Sequence, residues 1–322
     1  MNLRNKFVAV MFLLSTAAFG IATDAPADLL ASGRADDAIV SLKNRLANNP
    51  NDADSYHLLC RAHFDFQDWD AAIAACEKAV ALSPQSSRDH LWLGRAYGEK
   101  ADNVSFVSAI GLAKKVHAEF EKAVALDPNN ADALSDLAEF YLEAPGMVGG
   151  GREKAEAKAE LLMKLAPSKG HWIKGRIAEK NHDKTTAERE YLAAIQSSHG
   201  SGLDWLNLAF YYKRTQRLPE MEAALRKSVA ASSAQPEVIV EAAETLVRTN
   251  RNLPLAETWL QQYLTGPTVE LAPAFKAHYW LGQAQEKQGD HAAAAQSYRE
   301  ALKLAKGYSR AQEALERVER QL

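Results

Sequence analysis

The sequence predicts an all-α chain, a solenoid built from antiparallel helical hairpins. Two observations predict it. A pattern of small and large residues with helical spacing returns in register about seven times. Prolines stand where second helices should stop, at Pro50, Pro84, Pro128 and Pro167, since a proline cannot donate to the helical ladder. The chain, with 322 residues and 47% hydrophobic content, is long enough for two ordinary domains. The repeats argue instead for one elongated domain whose units touch only their neighbours and share no central core.

The pattern reads most cleanly over residues 53–86. Tyr56, Leu59, Cys60 and His63 fall on one stripe of a first helix, because side chains three and four apart share a helical face. A turn follows at residues 67–69, and Ala72, Cys76 and Ala79 mark the facing stripe of a second helix that Pro84 stops. A small residue in each helix should let the two backbones approach closely, with larger ones filling the grooves alongside. The pattern recurs at His90, Leu93, Gly94 and Tyr97 with Val116, Phe120 and Ala123, and at Leu134, Leu137, Ala138 and Tyr141 with Ala155, Ala159 and Leu162. It returns at Trp205, Leu208, Ala209 and Tyr212 with Met221, Leu225 and Ser228, and at His278, Leu281 and Gly282 with Ala294, Tyr298 and Ala301. Weaker copies run through Gly175 and Tyr191 and through Ala243 and Leu260. On these residues the chain resembles the tetratricopeptide repeat family, with its W-x2-L-G-x2-Y…A-x3-F…P pattern and 34-residue period. The resemblance covers nearly all of residues 23–322 and implies an all-α, right-handed superhelical solenoid.

Taken in order, residues 1–22 carry a basic start (Arg4, Lys6), an apolar run over residues 7–19 and small residues at Ala18, Gly20 and Ala22. This reads as a secretory signal cut after Gly20 or Ala22, with an uncleaved anchor as the alternative; the run is short of the roughly 20 residues that span a bilayer. The expected address is a bacterial periplasm or the medium, with no membrane contact after cleavage. Residues 24–50 form an amino-terminal cap with a shortened first helix. The next unit holds the only two cysteines, Cys60 and Cys76, one per helix. An oxidising compartment invites a disulfide between them; the competing reading is a pair of small buried fillers.

The third repeat carries about ten extra residues between Tyr97 and Val116, which lengthens its second helix. That helix should be capped by Asp102 or Asn103, and should protrude by about 15 Å at 1.5 Å per residue. The fourth repeat inserts residues 144–151 at the equivalent turn, so that Phe106 and Ile110 should touch Met147 and Val148. Either these four cover one another or they make an edge patch for docking. Gly146 and Gly151 imitate the start of a phosphate loop, but Arg152 and Glu153 stand where Lys and Ser or Thr belong, and a carboxylate there repels phosphate. From residue 168 to 233 Ser/Gly linkers replace the proline stops, and the solenoid should bend or loosen. Pro254 suits a first helical turn. Residues 309–322 form a polar capping helix with one apolar stripe, Ala311, Leu315 and Val318.

The formal charge is −3, and two units more negative once Arg4 and Lys6 leave with the signal. That argues against nucleic-acid binding, which needs a basic stripe to release counterions. No serine-hydrolase elbow, zinc-protease helix, Cys-x-x-Cys pair or dinucleotide fingerprint occurs; no catalytic residue, metal ligand or cofactor is expected. His90, His171 and His278 share one repeat position and read as packing residues. The resemblance implies that first helices line a concave surface holding a protein or peptide partner. On that surface it places His57, Arg61, Phe64, Arg95, Glu139, Trp172, Arg176, Phe210, Lys213 and Tyr279. Arg61, Arg95 and Arg176 occupy one repeat position and either grip partner carboxylates or balance Asp54, Asp132 and Glu139. The aromatics would anchor apolar side chains. The resulting expectation is a non-catalytic scaffold or adaptor with a long trough open to solvent. Its alternatives are a periplasmic holdase and, in a different class, an envelope hydrolase or sugar-binding factor on a helical solenoid.

Overall fold

The computed structural model describes residues 25–322; the signal reading lies outside them. The described residues form eight hairpins and a final helix, with an isolated bridge between Val269 and Ala272 in place of any strand. The hairpins are α1 (Pro26–Ala31) with α2 (Ala35–Asn48), α3 (Ala53–Asp65) with α4 (Trp69–Leu82), α5 (Ser87–Asp102) with α6 (Phe106–Leu126), and α7 (Ala131–Glu143) with α8 (Arg152–Leu165). Then follow α9 (Pro167–Lys180) with α10 (Lys184–Ser197), α11 (Gly202–Arg214) with α12 (Leu218–Ala230), α13 (Glu237–Arg248) with α14 (Leu253–Thr265), α15 (Ala274–Lys287) with α16 (His291–Leu304), and the final α17 (Ser309–Glu319).

Helix starts follow local chemistry. Asp52, Asp68, Ser86, Asn130, Asp183 and Asp290 each accept a backbone N–H of the first turn, satisfying donors that have no intrahelical partner. Pro167 and Pro254 sit in the first turns of α9 and α14. Pro167 therefore ends α8 by starting the next helix after a single linking residue. The lengthened α6 is preceded by Ser105, not by Asp102 or Asn103, because α5 itself runs on to Asp102.

Within the hairpins the close crossing is small against large, which corrects the expectation of small against small. A Cβ added to Gly94 would lie 2.5 Å from the Phe120 ring, one on Gly282 2.5 Å from Tyr298, and one on Gly175 3.2 Å from Tyr191. At the same register Cys60 and Cys76 are joined by a disulfide with their Cα atoms 5.1 Å apart. Volume is thus conserved across the crossing, as close packing demands. Successive hairpins are then pinned by tyrosine hydroxyls that reach back to the preceding second helix: Tyr97 donates to Glu77 (2.5 Å), Tyr141 to Glu121 (2.9 Å) and Tyr212 to Glu188 (2.7 Å). Burial and the facing carboxylate raise the pKa of each of these tyrosines, which keeps them donors. His90 and His171 behave alike too, each facing the glutamate that precedes the large ring of the second helix, Glu119 and Glu190.

The stack also closes on itself. Apolar residues form two clusters, one running from Cys60 to Ile177, the other joining Leu29, Leu30 and Ile39 of the first hairpin to hairpins five to eight and α17. Gly33, at φ +74, lets the first turn come so near Ala274 that an added Cβ would sit 2.6 Å from its backbone nitrogen, a place and a dihedral open only to glycine. Phe66 meets the Phe275 ring edge-on at 5.5 Å, Lys276 binds Asp65 at 2.6 Å, and the Lys306 N–H donates to Asp36 at 2.6 Å.

Candidate partner-binding surface

Successive first helices approach one another directly, α7 to α9, α9 to α11, α11 to α13 and α13 to α15, whereas second helices make no comparable approach among the described residues. In a curved stack the crowded side is the inner one, so the first helices line the concave face. Ion pairs ladder it from repeat to repeat: Arg88 with Asp54 (2.7 Å), Arg95 with Asp136 (2.6 Å), Lys169 with Asp132 (2.7 Å), and Arg176 with Glu143 (2.6 Å). Arg95 and Arg176 therefore balance the groove's own carboxylates. Only Arg176 meets one of the three acids named from sequence, Glu139 at 3.6 Å; Asp54 and Asp132 serve Arg88 and Lys169.

The structure places the ten groove residues unequally. His57 is 3% exposed, with Nδ1 2.7 Å from the carboxylate of Asp89, which is buried as well; desolvation lowers its pKa. Tyr279 is 6% exposed and packs on Trp280, Tyr298 and Tyr308. Both belong to the seams between helices, because their positions rotate away from the inner stripe into the neighbouring hairpin. Phe64 lies edge-on to Trp69 and Trp92 (5.2 and 5.4 Å). Arg61 lays its guanidinium over Trp92 at 4.7 Å, and Arg95 does so at 5.2 Å. Burial, more than the carboxylates beside it, raises the pKa of Glu139 against the pull of Arg176. Lys213 lies 5.5 Å over Phe210, its pKa lowered by burial and by Arg248.

Trp172 stands at the wall of a hollow of about 330 Å³ that also takes in Ser135 and Asp136 from α7, Lys169 from α9, and Asp204 and Asn207 from α11. Burial raises the Asp204 pKa against hydrogen bonds from Ser198 and Asn207. Sequence reasoning missed Asn207 and Trp92. Trp92 follows Leu91, which is buried in the core; the Arg88–Trp92–Arg95 spacing, which puts the three on one helical face, was the available signal. Nor is the trough open throughout: Glu270, from the α14–α15 connection, sits against Arg61 at 2.6 Å. The chain's own loop reduces solvent access there.

At the outer edge, residues of the 144–151 insertion touch α6 as expected from sequence. Phe106, Ile110, Pro145, Met147 and Val148 line a small apolar hollow of about 90 Å³. Val148 is buried at 4% exposure and Ile110 half-buried, whereas Phe106 and Met147 stay 72% and 67% exposed.

Three stretches, residues 29–88, 119–157 and 275–308, match models described as tetratricopeptide repeat. Together they support the tetratricopeptide repeat family for this chain. No curated protein matches it. Among solved structures, yeast Tom70 is 15% identical over 96% of this chain and 66% of its own, with a TM-score of 0.54. TTC0263, a thermophilic TPR protein of Thermus thermophilus, is 19% identical over 69% and 97% at a TM-score of 0.45. MamA is 22% identical over 56% and 97% at 0.44. At such identities the Tom70 likeness is one of fold.

Proposed function

We propose that this chain is an exported, non-catalytic adaptor that holds a protein or peptide partner on its concave face. Tetratricopeptide repeat domains generally bind protein partners, and one observation carries the reading here. The hollow at Trp172 draws side chains from three successive first helices and offers an aromatic wall with polar groups of both kinds, Lys169 against Asp136 and Asp204. Such a mixture suits a peptide backbone and an apolar anchor residue. The export half of the reading rests on the amino-terminal segment.

A photo-crosslinking residue at Trp172, with a control at the exposed Leu192 on α10, tests the adaptor in its native host. One discrete adduct from Trp172 and none from Leu192 is expected. Adducts only from the outer position refute the groove. Fractionation of a tagged chain tests export: residence in the cytoplasm with an intact amino terminus would overturn it.

A further inference from the structure

Most cations of the inner ladder find a carboxylate on an adjoining repeat. Arg61 does not. Arg95 reaches Asp136, which stands two residues before the small residue Ala138 of the next repeat. The matching position for Arg61, two before Gly94, holds Trp92. The next repeat thus offers Arg61 an aromatic ring, over which its guanidinium lies at 4.7 Å, and no carboxylate to pair with. The result is a receptor for a carboxylate from elsewhere: a fixed cation beside an aromatic wall.

What fills it comes from the connection between α14 and α15, residues 266–273, Gly-Pro-Thr-Val-Glu-Leu-Ala-Pro. The Ala272 N–H donates to the Val269 carbonyl at 3.1 Å, so residues 269–272 make a tight turn. The Tyr263 hydroxyl staples both ends, donating to the Ala272 carbonyl (2.6 Å) and accepting from the Val269 N–H (2.9 Å). Glu270 and Leu271 are left at the corner. Glu270 is turned onto Arg61 and 18% exposed, while Leu271 is 60% exposed. The fit is imperfect. Arg61 Nε and Glu270 Oε1 touch at 2.6 Å, yet neither buried atom is aligned in a hydrogen bond, and burial raises the Glu270 pKa despite the arginine. Apart from that contact, the connection's polar side-chain hold on the opposite end of the chain is a hydrogen bond from Thr268 to the Ala31 carbonyl at 3.0 Å.

We infer that the 269–272 turn is a self-ligand, occupying an inner-face subsite at Arg61 and Trp92 whose external occupant is a partner segment bearing a glutamate or aspartate. This rests on the reading of the concave face as the partner surface and names the chemistry one part of it selects. Partner and turn compete, so the external affinity is lowered by the fraction of time the turn is seated. A tethered turn acts at a high effective concentration, and loosening it should unmask the site.

The probe is a dye-labelled synthetic peptide of residues 266–273, its binding followed by fluorescence anisotropy. The receptor is a Thr268→Val, Glu270→Ala double variant, which cuts both polar holds of the connection and leaves the Tyr263 staple in place. Wild type should bind the peptide at least tenfold more weakly than this variant. A peptide with the glutamate replaced by glutamine should lose the gain, and so should Arg61→Met added to the variant. Equal binding by wild type and a variant of native helicity overturns the inference. Should the double variant lose helicity, Thr268→Val alone is used, with a severalfold gain expected and no gain counting against the proposal. A positive crosslink at Trp172 with a silent peptide would sink the self-ligand alone; the reverse result would sink the Trp172 groove and keep the Arg61 subsite.

Discussion

Replacing Glu241 by Gln should stabilise the protein at pH 8 and leave it unchanged near pH 4. Glu241 lies on the inner stripe of α13 with Glu237 and Glu244; Arg248 pairs with Glu244 at 2.6 Å, and no ion pair reaches Glu241 among the described residues. Burial, reinforced by Glu244 and Glu237 and opposed by Lys276, raises its pKa from 4.5 to about 7. The sign follows from proton counting. Below pH 4.5 the carboxyl is neutral folded and unfolded, and contributes nothing. Between pH 4.5 and 7 the unfolded chain has lost the proton that the folded chain keeps, so stability falls by about 1.4 kcal/mol per pH unit. Above pH 7 the loss is complete, at a ceiling of about 3 kcal/mol for the shift of 2.5 units. Glutamine has no proton to lose and removes that slope. Thermal unfolding followed by circular dichroism from pH 4 to pH 8 reads the difference, a few degrees in Tm for a chain of this size. Parallel curves for variant and wild type across the range would refute the reasoning.

Gly94→Ala drives a methyl into the Phe120 ring at 2.5 Å and should cost about 1–3 kcal/mol, with the smaller side chain of Phe120→Leu recovering part of it in a double-mutant cycle. Reducing the Cys60–Cys76 bond, which spans 16 residues, should lower stability by about 3 kcal/mol, measured as the Tm difference with and without a thiol reductant. Phe106→Ser should change Tm little because the ring is 72% exposed, whereas Val148→Ser, deep under α6, should destabilise by about 1–3 kcal/mol; equal losses would show that Phe106 is cover and not free surface.

The hairpins were legible because each obeys local rules. Gly94, Gly175 and Gly282 recur at one step of the period and so do their aromatic partners, and that regularity is visible without knowing where neighbours sit. The inner face was legible only in part. Arg95 and Arg176 were placed on it, but their counter-ions were not, since Asp136 and Glu143 lie on an adjoining first helix at a rotation that period alone leaves free. Tyr279 was misread because, like His57, it stands three residues before the small residue of its first helix, a position that turns into the seam, and Tyr308, just ahead of α17, packs against it. The pairing of Arg61 with Glu270 joins residues more than two hundred apart, and no repeat pattern carries that information.

The contact between the first and last hairpins makes the number of repeats a fixed quantity. An open array tolerates gain or loss of a unit, since each member meets only its two neighbours. Here the angular steps of all the units must add up so that Gly33 arrives at Ala274 and Phe66 at Phe275. Dropping one hairpin from the middle would leave the hoop short and bare two apolar ends at once.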